Sequence, residues 1–285
     1  MKAYRDFSLT NYNAYKVNAI CKTAFFPESE ADVVKLYDTK KDFVLLGSGH
    51  NVILSKEYYD KDFIIFNGNF NALKLDSSSN TIEAQAGATI YEVSMLAQQN
   101  SLSGAEFFYD IPSSVGGAVV MNAGTKEGET KTILSKVRYL DLSEMKIKEA
   151  NSENLELSYR TSLFQKRNDK IILSAWFQLE FGDASIIKDV MEASKTRRWA
   201  KQPREYPNCG SVYKRPPGHF VGPMLDQLGL KGYRVGGAEV SRKHSGFIVN
   251  IDNATGEDIL EIIRHTKAKV KEYFNVDLVV EQRII

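Results

Sequence analysis

Residues 111–124 read IPSSVGGAVVMNAG, and this stretch decides the fold more than any other part of the chain. It contains three glycines and no charged side chain, so another surface can approach its backbone closely. Backbone N–H groups left free in such a segment can bind an anion, as in a nest or at a helix start. The spacing is neither that of a P-loop nor that of a Rossmann turn. A glycine-rich tight turn between strands is the simpler alternative.

A second small-residue loop strengthens the ligand hypothesis. The apolar run 43–46 predicts a buried strand, and it leads directly into Gly47-Ser48-Gly49-His50-Asn51. Two such loops in separate α+β units favour one elongated ligand, and a dinucleotide fits better than a mononucleotide. Asn51 and Asn122 each end a loop, where an amide can donate to phosphate or ring carbonyls; a turn-forming Asn is an equal alternative.

Composition excludes several classes of function. The chain has 285 residues, enough for two or three domains, and 37 basic residues balance 36 acidic ones. No broad basic face for nucleic acid is therefore indicated, and no apolar run is long enough to span a membrane. Two distant cysteines and four scattered histidines indicate no metal site. The first residues lack the apolar core of a signal peptide, so we expect a cytoplasmic protein.

Periodicity and capping signals predict an α+β fold of three parts, with boundaries at 1–75, 76–200 and 201–285. Thr89 with Glu92, and Thr255 with Asp258, resemble capping boxes at two helix starts. The predicted helices are 31–41, 90–99, 184–200, 221–228 and a last helix from about 256. The predicted strands are 43–46, 52–54, 63–66, 82–86, 135–142, 171–181, 245–251 and 278–284.

Three further residues could carry chemistry, although each has an ordinary alternative. Arg160, in Tyr-Arg-Thr-Ser, offers a fork that suits a carboxylate or phosphate, whereas most single arginines lie at the surface. Ser211 follows Gly210 and could be presented on a tight turn, but it lacks the context of a hydrolase nucleophile. Glu281 lies in a predicted strand, where it could be an acid of shifted pKa or a solvent-facing partner of a neighbour.

The whole string resembles a known family. The run 207–250, together with IPSSVGGAVVMNAG, Tyr-Arg-Thr-Ser and Gly-Ser-Val-Tyr-Lys-Arg-Pro, occurs in the order and at the spacing of the UDP-N-acetylenolpyruvoylglucosamine reductase (MurB) family, in its shorter type. The resemblance runs from about Ala31 to the C-terminus. It implies two FAD-binding subdomains of the vanillyl-alcohol oxidase kind and a third, substrate-binding domain whose C-terminal strand returns towards the flavin.

The resemblance also implies an activity. Family members reduce UDP-N-acetylglucosamine enolpyruvate to UDP-N-acetylmuramate for peptidoglycan synthesis: NADPH reduces FAD, and a hydride then passes from flavin N5 to C3 of the enolpyruvyl group. Ser211 matches the serine that gives a proton to C2, and Arg160 and Glu281 match the residues beside the substrate carboxylate. Glu281 would need a raised pKa there.

Binding residues carried over from the family fall into two sets. Arg197, Lys201, Arg215 and His244 are expected to contact the UDP part of the substrate. The expected FAD contacts lie in the two small-residue loops, and they are Gly47, Ser48, Gly49, His50, Asn51, Ile111, Pro112, Ser113, Ser114, Gly116, Gly117, Asn122, Ala123 and Gly124.

The chain departs from the family pattern in three places near the expected cofactor. His50 replaces a small residue, Ser113 replaces a glycine, and residues 16–19 read Lys-Val-Asn-Ala where the family often has a Gly-Gly pair. Two other hypotheses remain beside the reductase: an FAD oxidoreductase of the same fold with another substrate, and a flavin-binding module without catalysis. The expected partners are the UDP-sugar substrate and NADPH, and the expected state is a monomer.

Overall fold

The computed structural model describes all residues from Met1 to Ile285. The chain contains sixteen strands and seven α-helices, which confirms the α+β class. The strands are Lys2–Ser8 (β1), Ile20–Phe26 (β2), Phe43–Leu46 (β3), Val52–Ile53 (β4), Tyr58–Ile65 (β5), Leu73–Asp76 (β6), Thr81–Gln85 (β7), Leu102–Ser103 (β8), Leu134–Asp141 (β9), Lys146–Asn151 (β10), Lys170–Gln178 (β11), Glu180–Phe181 (β12), Arg234–Val235 (β13), Ala238–Val240 (β14), Ile248–Asn250 (β15) and Arg283–Ile284 (β16). The helices are Glu30–Asp38 (α1), Ile90–Gln99 (α2), Val115–Met121 (α3), Leu163–Lys166 (α4), Ala184–Lys201 (α5), Val221–Gln227 (α6) and Gly256–Phe274 (α7).

The chain forms two compact units, each assembled from separate stretches of sequence. Unit 1 contains residues 1–4, 24–48 and 62–196, and unit 2 contains residues 5–23, 49–61 and 197–285. A four-stranded sheet has the order β1-β2-β5-β3. The three-domain division drawn from the sequence stays a prediction.

Unit 1 is built on an antiparallel five-stranded sheet of order β10-β9-β11-β7-β6. Its central strand is β11, whose sequence KIILSAWFQ is almost continuously apolar and buried, which indicates that both faces of the sheet are covered there. The capping box of Thr89 and Glu92 forms as expected and starts α2. The buried core of this unit includes Phe108 and Phe177, whose rings meet edge to face with centroids 5.5 Å apart.

Unit 2 has a separate core beneath α7. The capping box of Thr255 and Asp258 starts this helix, and its buried face includes Ile259, Ile262 and Val270. A small antiparallel sheet of order β13-β14-β15 and a parallel pair, β16 with β4, complete the unit. None of the helices in the structure combines the length and the apolar character needed to cross a bilayer.

Several expectations about elements are wrong in detail. The run 278–284 does not form one strand, because Val280 pairs with Tyr213 in an isolated bridge and only Arg283–Ile284 pairs with β4. The predicted strand 171–181 is divided into β11 and β12. The strands β1 and β10 were not predicted, because their sequences KAYRDFS and KIKEAN lack a strong apolar alternation. The first strand is exposed along most of its length and the second along part of it.

Candidate active site

The first two residues of the first small-residue loop, Gly47 and Ser48, contact the second loop within unit 1. The hydroxyl of Ser48 accepts a hydrogen bond from the Ser114 N–H at 3.0 Å. A side chain at Gly47 would place its Cβ 2.6 Å from the hydroxyl oxygen of Ser114, so only glycine allows this approach. The sequence prediction that these segments act together is therefore consistent with their contact.

The centre of the stretch 111–124 forms the helix α3, and not a tight turn between strands. Ser114 is the N-cap of α3, and its side chain accepts from the N–H of Gly117 at 3.3 Å. The N–H groups of Val115 and Gly116 donate to the carbonyl oxygens of Ala88 and Ala86 at 2.8 and 2.9 Å. The expectation of free N–H groups at this helix start is therefore wrong, because four successive N–H groups already have protein acceptors.

The remaining groups of these loops nevertheless suit a phosphate-bearing cofactor. Neither 43–48 nor 111–124 contains a carboxylate that would repel an anion. The Ser48 hydroxyl accepts from Ser114 and keeps its own hydrogen for donation to a ligand. The chemistry of this donor set therefore fits FAD, because the Ser48 hydroxyl still has a hydrogen to donate whereas the N–H groups at the start of α3 do not.

The flanking residues of this segment have mixed environments. Ile111 packs partly buried against the core of unit 1, whereas Pro112 is exposed. The Ser113 hydroxyl donates to the carbonyl of Ser114 at 3.0 Å. Ala123 and Gly124 leave the helix and pair with the segment 128–130. Their contacts with FAD stay a prediction.

Asn122 has its side chain fully engaged by the protein. It is completely buried and adopts the left-handed conformation (φ 41°) at the C-cap of α3. Its amide nitrogen donates to Glu129 Oε2 at 2.9 Å and to the Ser158 carbonyl at 3.0 Å. Its amide oxygen accepts from the Lys131 N–H at 2.9 Å. The side chain therefore holds three segments together, and the predicted donation to a cofactor has no free hydrogen to use.

Arg160 lies on a two-residue turn and is held at the end of α3. Ser158 and Thr161 exchange two backbone hydrogen bonds, and Arg160 itself takes the left-handed conformation with φ 51°. Its guanidinium donates to the carbonyl oxygens of Asn122 at 3.3 Å and Gly124 at 2.8 Å. A long side chain in this backbone region is costly, and such strain concentrates at functional sites.

The last residues of the first small-residue loop belong to unit 2. Gly49 has φ 71°, and a Cβ there would lie 2.0 Å from the carbonyl oxygen of Tyr12. The Asn51 amide donates to the carbonyl oxygen of Glu281 at 3.3 Å, and the Asn51 carbonyl accepts from the Arg283 N–H at 2.9 Å. His50 is exposed. These contacts connect the loop to the C-terminal segment, and its contact with FAD stays a prediction.

Ser211 is presented on a glycine turn of unit 2. Gly210 has φ 75°, and its N–H donates to the side-chain oxygen of Asn208 at 3.1 Å. Ser211 is exposed and pairs with Phe247 in an isolated bridge, and its hydroxyl makes no hydrogen bond with the protein. The hydroxyl is therefore available to a ligand.

A short antiparallel pairing places Glu281 beside the Ser211 turn. The Glu281 N–H donates to the Val212 carbonyl at 2.8 Å, and the Lys214 N–H donates to the Val279 carbonyl at 2.9 Å. Glu281 is half-buried. Two of the three predicted catalytic residues, Ser211 and Glu281, are thus neighbours within unit 2, while Arg160 belongs to unit 1.

The predicted substrate contacts lie in three places in unit 2. Arg197 and Lys201 are exposed near the C-terminal end of α5. Arg215 is exposed and lies over the ring of Phe220, 3.8 Å from its centroid, while its Nε donates to the His219 carbonyl at 3.3 Å. Stacking on an aromatic ring fixes the plane of a guanidinium, which is a geometry that suits an anionic ligand.

His244 presents a neutral imidazole. Its Nδ1 accepts from the Gly246 N–H at 3.1 Å, which leaves Nε2 as the protonated nitrogen. Burial lowers the pKa of His244 below its ordinary value of 6.5, although the carboxylate of Asp226 opposes this effect. The ring meets that of Phe247 edge to face, with centroids 4.9 Å apart. The Nε2 hydrogen is therefore the group that His244 offers to a ligand.

Two buried residues next to the predicted site were not identified from the sequence. The Gln282 amide donates to the Cys209 carbonyl at 3.1 Å, and its oxygen accepts from the Tyr15 hydroxyl at 2.9 Å. Burial raises the pKa of the Cys209 thiol to about 12, so this cysteine is not a nucleophile. A glutamine in an apolar strand pattern was the one signal that could have revealed a buried polar network.

Family comparisons assign the chain to a class of flavoproteins. A sequence model described as an FAD binding domain matches residues 22–146. Residues 202–285 match the model of the C-terminal domain of UDP-N-acetylenolpyruvoylglucosamine reductase.

Similar proteins extend this assignment to the full length. The UDP-N-acetylenolpyruvoylglucosamine reductase of Francisella tularensis is 40% identical over 280 residues, which cover 98% of each chain. The Lactobacillus gasseri protein of the same name is 41% identical over 98% of this chain and 93% of its own. The solved structure of the Thermus caldophilus reductase (MurB) superposes with a TM-score of 0.84 at 27% identity, covering 99% of this chain and 98% of the other. The chain belongs to the UDP-N-acetylenolpyruvoylglucosamine reductase family.

Proposed function

We propose that this protein is an NADPH-dependent flavoenzyme that reduces UDP-N-acetylglucosamine enolpyruvate to UDP-N-acetylmuramate. Family membership over the full length supports the activity. The observation that carries the site assignment is the Ser211 turn, which offers an unpartnered hydroxyl next to the backbone of Glu281. Bound FAD would accept a hydride from NADPH and supply it to C3 of the enolpyruvyl group.

The chain's own residues then complete the reduction of the double bond. Hydride addition at C3 leaves negative charge at C2 and on the adjacent carboxylate. Ser211 gives its hydroxyl proton to C2, for which the oxygen must lie within hydrogen-bond reach of that carbon. The Arg160 guanidinium stabilises the charge on the carboxylate, a contribution of about 3 kcal/mol by analogy with oxyanion donors. Glu281 shares a proton with that carboxylate.

The remaining groups bind the substrate and the cofactor. The Ser48 hydroxyl faces the FAD phosphates, while Asn122 supports the site from behind. Arg197 and Lys201 meet the UDP phosphates together with Arg215, and His244 donates from Nε2. We further propose three domains with boundaries near residues 75 and 200, and a cytoplasmic monomer; light scattering of the purified protein tests the oligomeric state.

Flavin absorbance tests the proposed function in two steps. Purified protein is expected to be yellow, to bleach when NADPH is added under anaerobic conditions, and to regain its colour when the enolpyruvyl sugar follows. Reoxidation by oxygen but not by the sugar would contradict the substrate assignment and favour another oxidoreductase of the same fold. A protein that takes up no FAD would contradict the flavoenzyme assignment altogether.

A further inference from the structure

Gln282 is a buried amide at the centre of the turn that carries Ser211. Its side-chain nitrogen lies 3.1, 3.4 and 3.5 Å from the carbonyl oxygens of Cys209, Gly210 and Ser211. Carbonyls of three successive residues converge on one group because Gly210 takes the left-handed conformation. The two hydrogens of the amide therefore point into the turn, where the buried contact with the Cys209 carbonyl is the shortest and those with Gly210 and Ser211 are longer and part-buried.

The orientation of this amide is fixed from its other end. The hydroxyl of Tyr15 donates to the Gln282 oxygen at 2.9 Å, so the nitrogen must face the carbonyls. Tyr15 is only 1% exposed, and its own carbonyl accepts from the Asn250 amide at 2.8 Å. Burial raises the pKa of Tyr15 well above its ordinary value, so this hydroxyl remains a donor across the physiological range.

Other contacts hold the residues on either side of Ser211. The Val212 N–H donates to the Gly246 carbonyl at 3.0 Å, and the Val212 carbonyl accepts from Glu281. On the other side, the Cys209 thiol donates to the Val52 carbonyl at 3.3 Å. These bonds fix the flanks of the turn, but among side chains only that of Gln282 contacts the carbonyls of the turn itself.

We propose that Gln282 is a positioning residue for proton transfer, which sets the direction of the Ser211 hydroxyl by holding the three carbonyls of its turn. The inference rests on the proposed function, because it assigns to Ser211 the protonation of C2. Gln282 makes no contact with the reacting atoms in this scheme. Its effect reaches the substrate through the backbone of residues 209–211, where a displacement of about 1 Å can cost 10²-fold in rate.

Gln282→Met tests this inference, because it keeps the length of the side chain and removes both donors. Stopped-flow absorbance measures the two half-reactions separately. We expect flavin reduction by NADPH to be unchanged and reoxidation by the enolpyruvyl sugar to slow by about 10- to 100-fold. In a Ser211→Ala background the same substitution is expected to cause no further loss, because the hydroxyl on which it acts is gone.

Two further variants serve as a control and as a second test of the positioning role. Gln178→Met removes a surface amide that donates to the Ser79 carbonyl at 2.6 Å in unit 1, and both half-reactions should remain normal. Tyr15→Phe removes only the bond that orients the amide, and we expect a smaller slowing of reoxidation that also disappears in the Ser211→Ala background. This variant decides the question if Gln282→Met does not fold.

The two possible failures give different results. Ser211→Ala that reoxidises at the wild-type rate would overturn the proposed role of Ser211. A slow Ser211→Ala variant that Gln282→Met slows again by the same factor would leave that role intact and overturn the positioning inference. Wild-type reoxidation by Gln282→Met, or by Tyr15→Phe where the methionine variant does not fold, would overturn it equally.

Discussion

The turns that carry Arg160 and Ser211 differ in which residue takes the left-handed conformation and in how the functional side chain is bonded. At the first turn the functional residue itself takes the left-handed conformation (φ 51°), and its guanidinium donates to the carbonyls of Asn122 and Gly124. At the second turn a glycine takes that conformation (φ 75°), and Ser211 keeps an unpartnered hydroxyl.

The difference follows from what each side chain must do. A guanidinium has five hydrogens to donate, so one such side chain can combine donation to the protein with donation to a carboxylate. A hydroxyl has only one hydrogen, and a proton donor that gave this hydrogen to a protein acceptor would have none for the substrate. The Ser211 turn must therefore be held by other residues, and Gln282 fills that role.

Replacing the hydroxyl should have the largest effect on the comparison. Ser211→Ala is expected to slow reoxidation of the reduced flavin by the enolpyruvyl sugar about 10²–10⁴-fold, because it removes the general acid. Flavin reduction by NADPH should stay normal, as stopped-flow absorbance will show. Equal loss in both half-reactions would mean that Ser211 supports the fold or the cofactor instead.

Arg160→Lys should have the next largest effect, because an ammonium cannot donate to both carbonyls and to a carboxylate in fork geometry. The lysine would carry the same backbone strain, so the change isolates the guanidinium. We expect a loss of about 10²-fold in the reoxidation rate. The control is Arg167→Lys, at an exposed arginine paired with Asp169, which should leave that rate unchanged.

Gly210→Ala tests the backbone side of the comparison. A Cβ at Gly210 meets open space, so the expected cost of about 1 kcal/mol in the free energy of unfolding comes from the left-handed conformation alone. Turnover should fall as well, because the turn presents Ser211. Gly68 offers a matched control, with φ 79° and open space, and Gly68→Ala should lower stability similarly with normal turnover. Urea titration and steady-state kinetics measure both, and full activity of Gly210→Ala would show that the turn tolerates displacement.

The smallest expected effect is a pH dependence of the unfolding free energy that comes from His244. Burial lowers the pKa of His244, so below pH 6.5 the unfolded chain binds a proton at this residue more readily than the folded chain does. This contribution to stability is complete above pH 6.5 and declines as the pH falls towards the pKa of the folded state. Asp226 opposes the shift and Lys231 adds to it. His244→Gln should flatten the decline in unfolding free energy below pH 6.5, and an unchanged slope would assign the titration to another group.

Local signals in the sequence predicted much of the framework. Both capping boxes form, since a cap depends only on residues within one turn of each other. The small-residue composition identified the two loops, and the loops do contact each other through Ser48 and Ser114. The partners of the α3 N–H groups could not be read from the sequence, because Ala86 and Ala88 become acceptors only through folding.

The unpredicted features of the site depend on contacts between distant residues. Gln282 meets Tyr15 across 267 positions of sequence, and no periodic pattern reports such a pair. The sequence does not reveal the left-handed backbone of Arg160, because its guanidinium is bound by the carbonyl of Gly124, which lies 36 residues earlier, just after α3. Asn122 illustrates the same point, since a loop-ending asparagine was equally consistent with a ligand contact and with the structural role that its hydrogen bonds define.

A crystal structure with FAD and the enolpyruvyl sugar bound tests the central claim most directly. The quantity to measure is the distance from the Ser211 Oγ to C2 of the enolpyruvyl group. We predict about 3–3.5 Å, the separation of groups positioned to react. A Ser211 hydroxyl that points away from C2, with another proton donor in its place, would contradict the account.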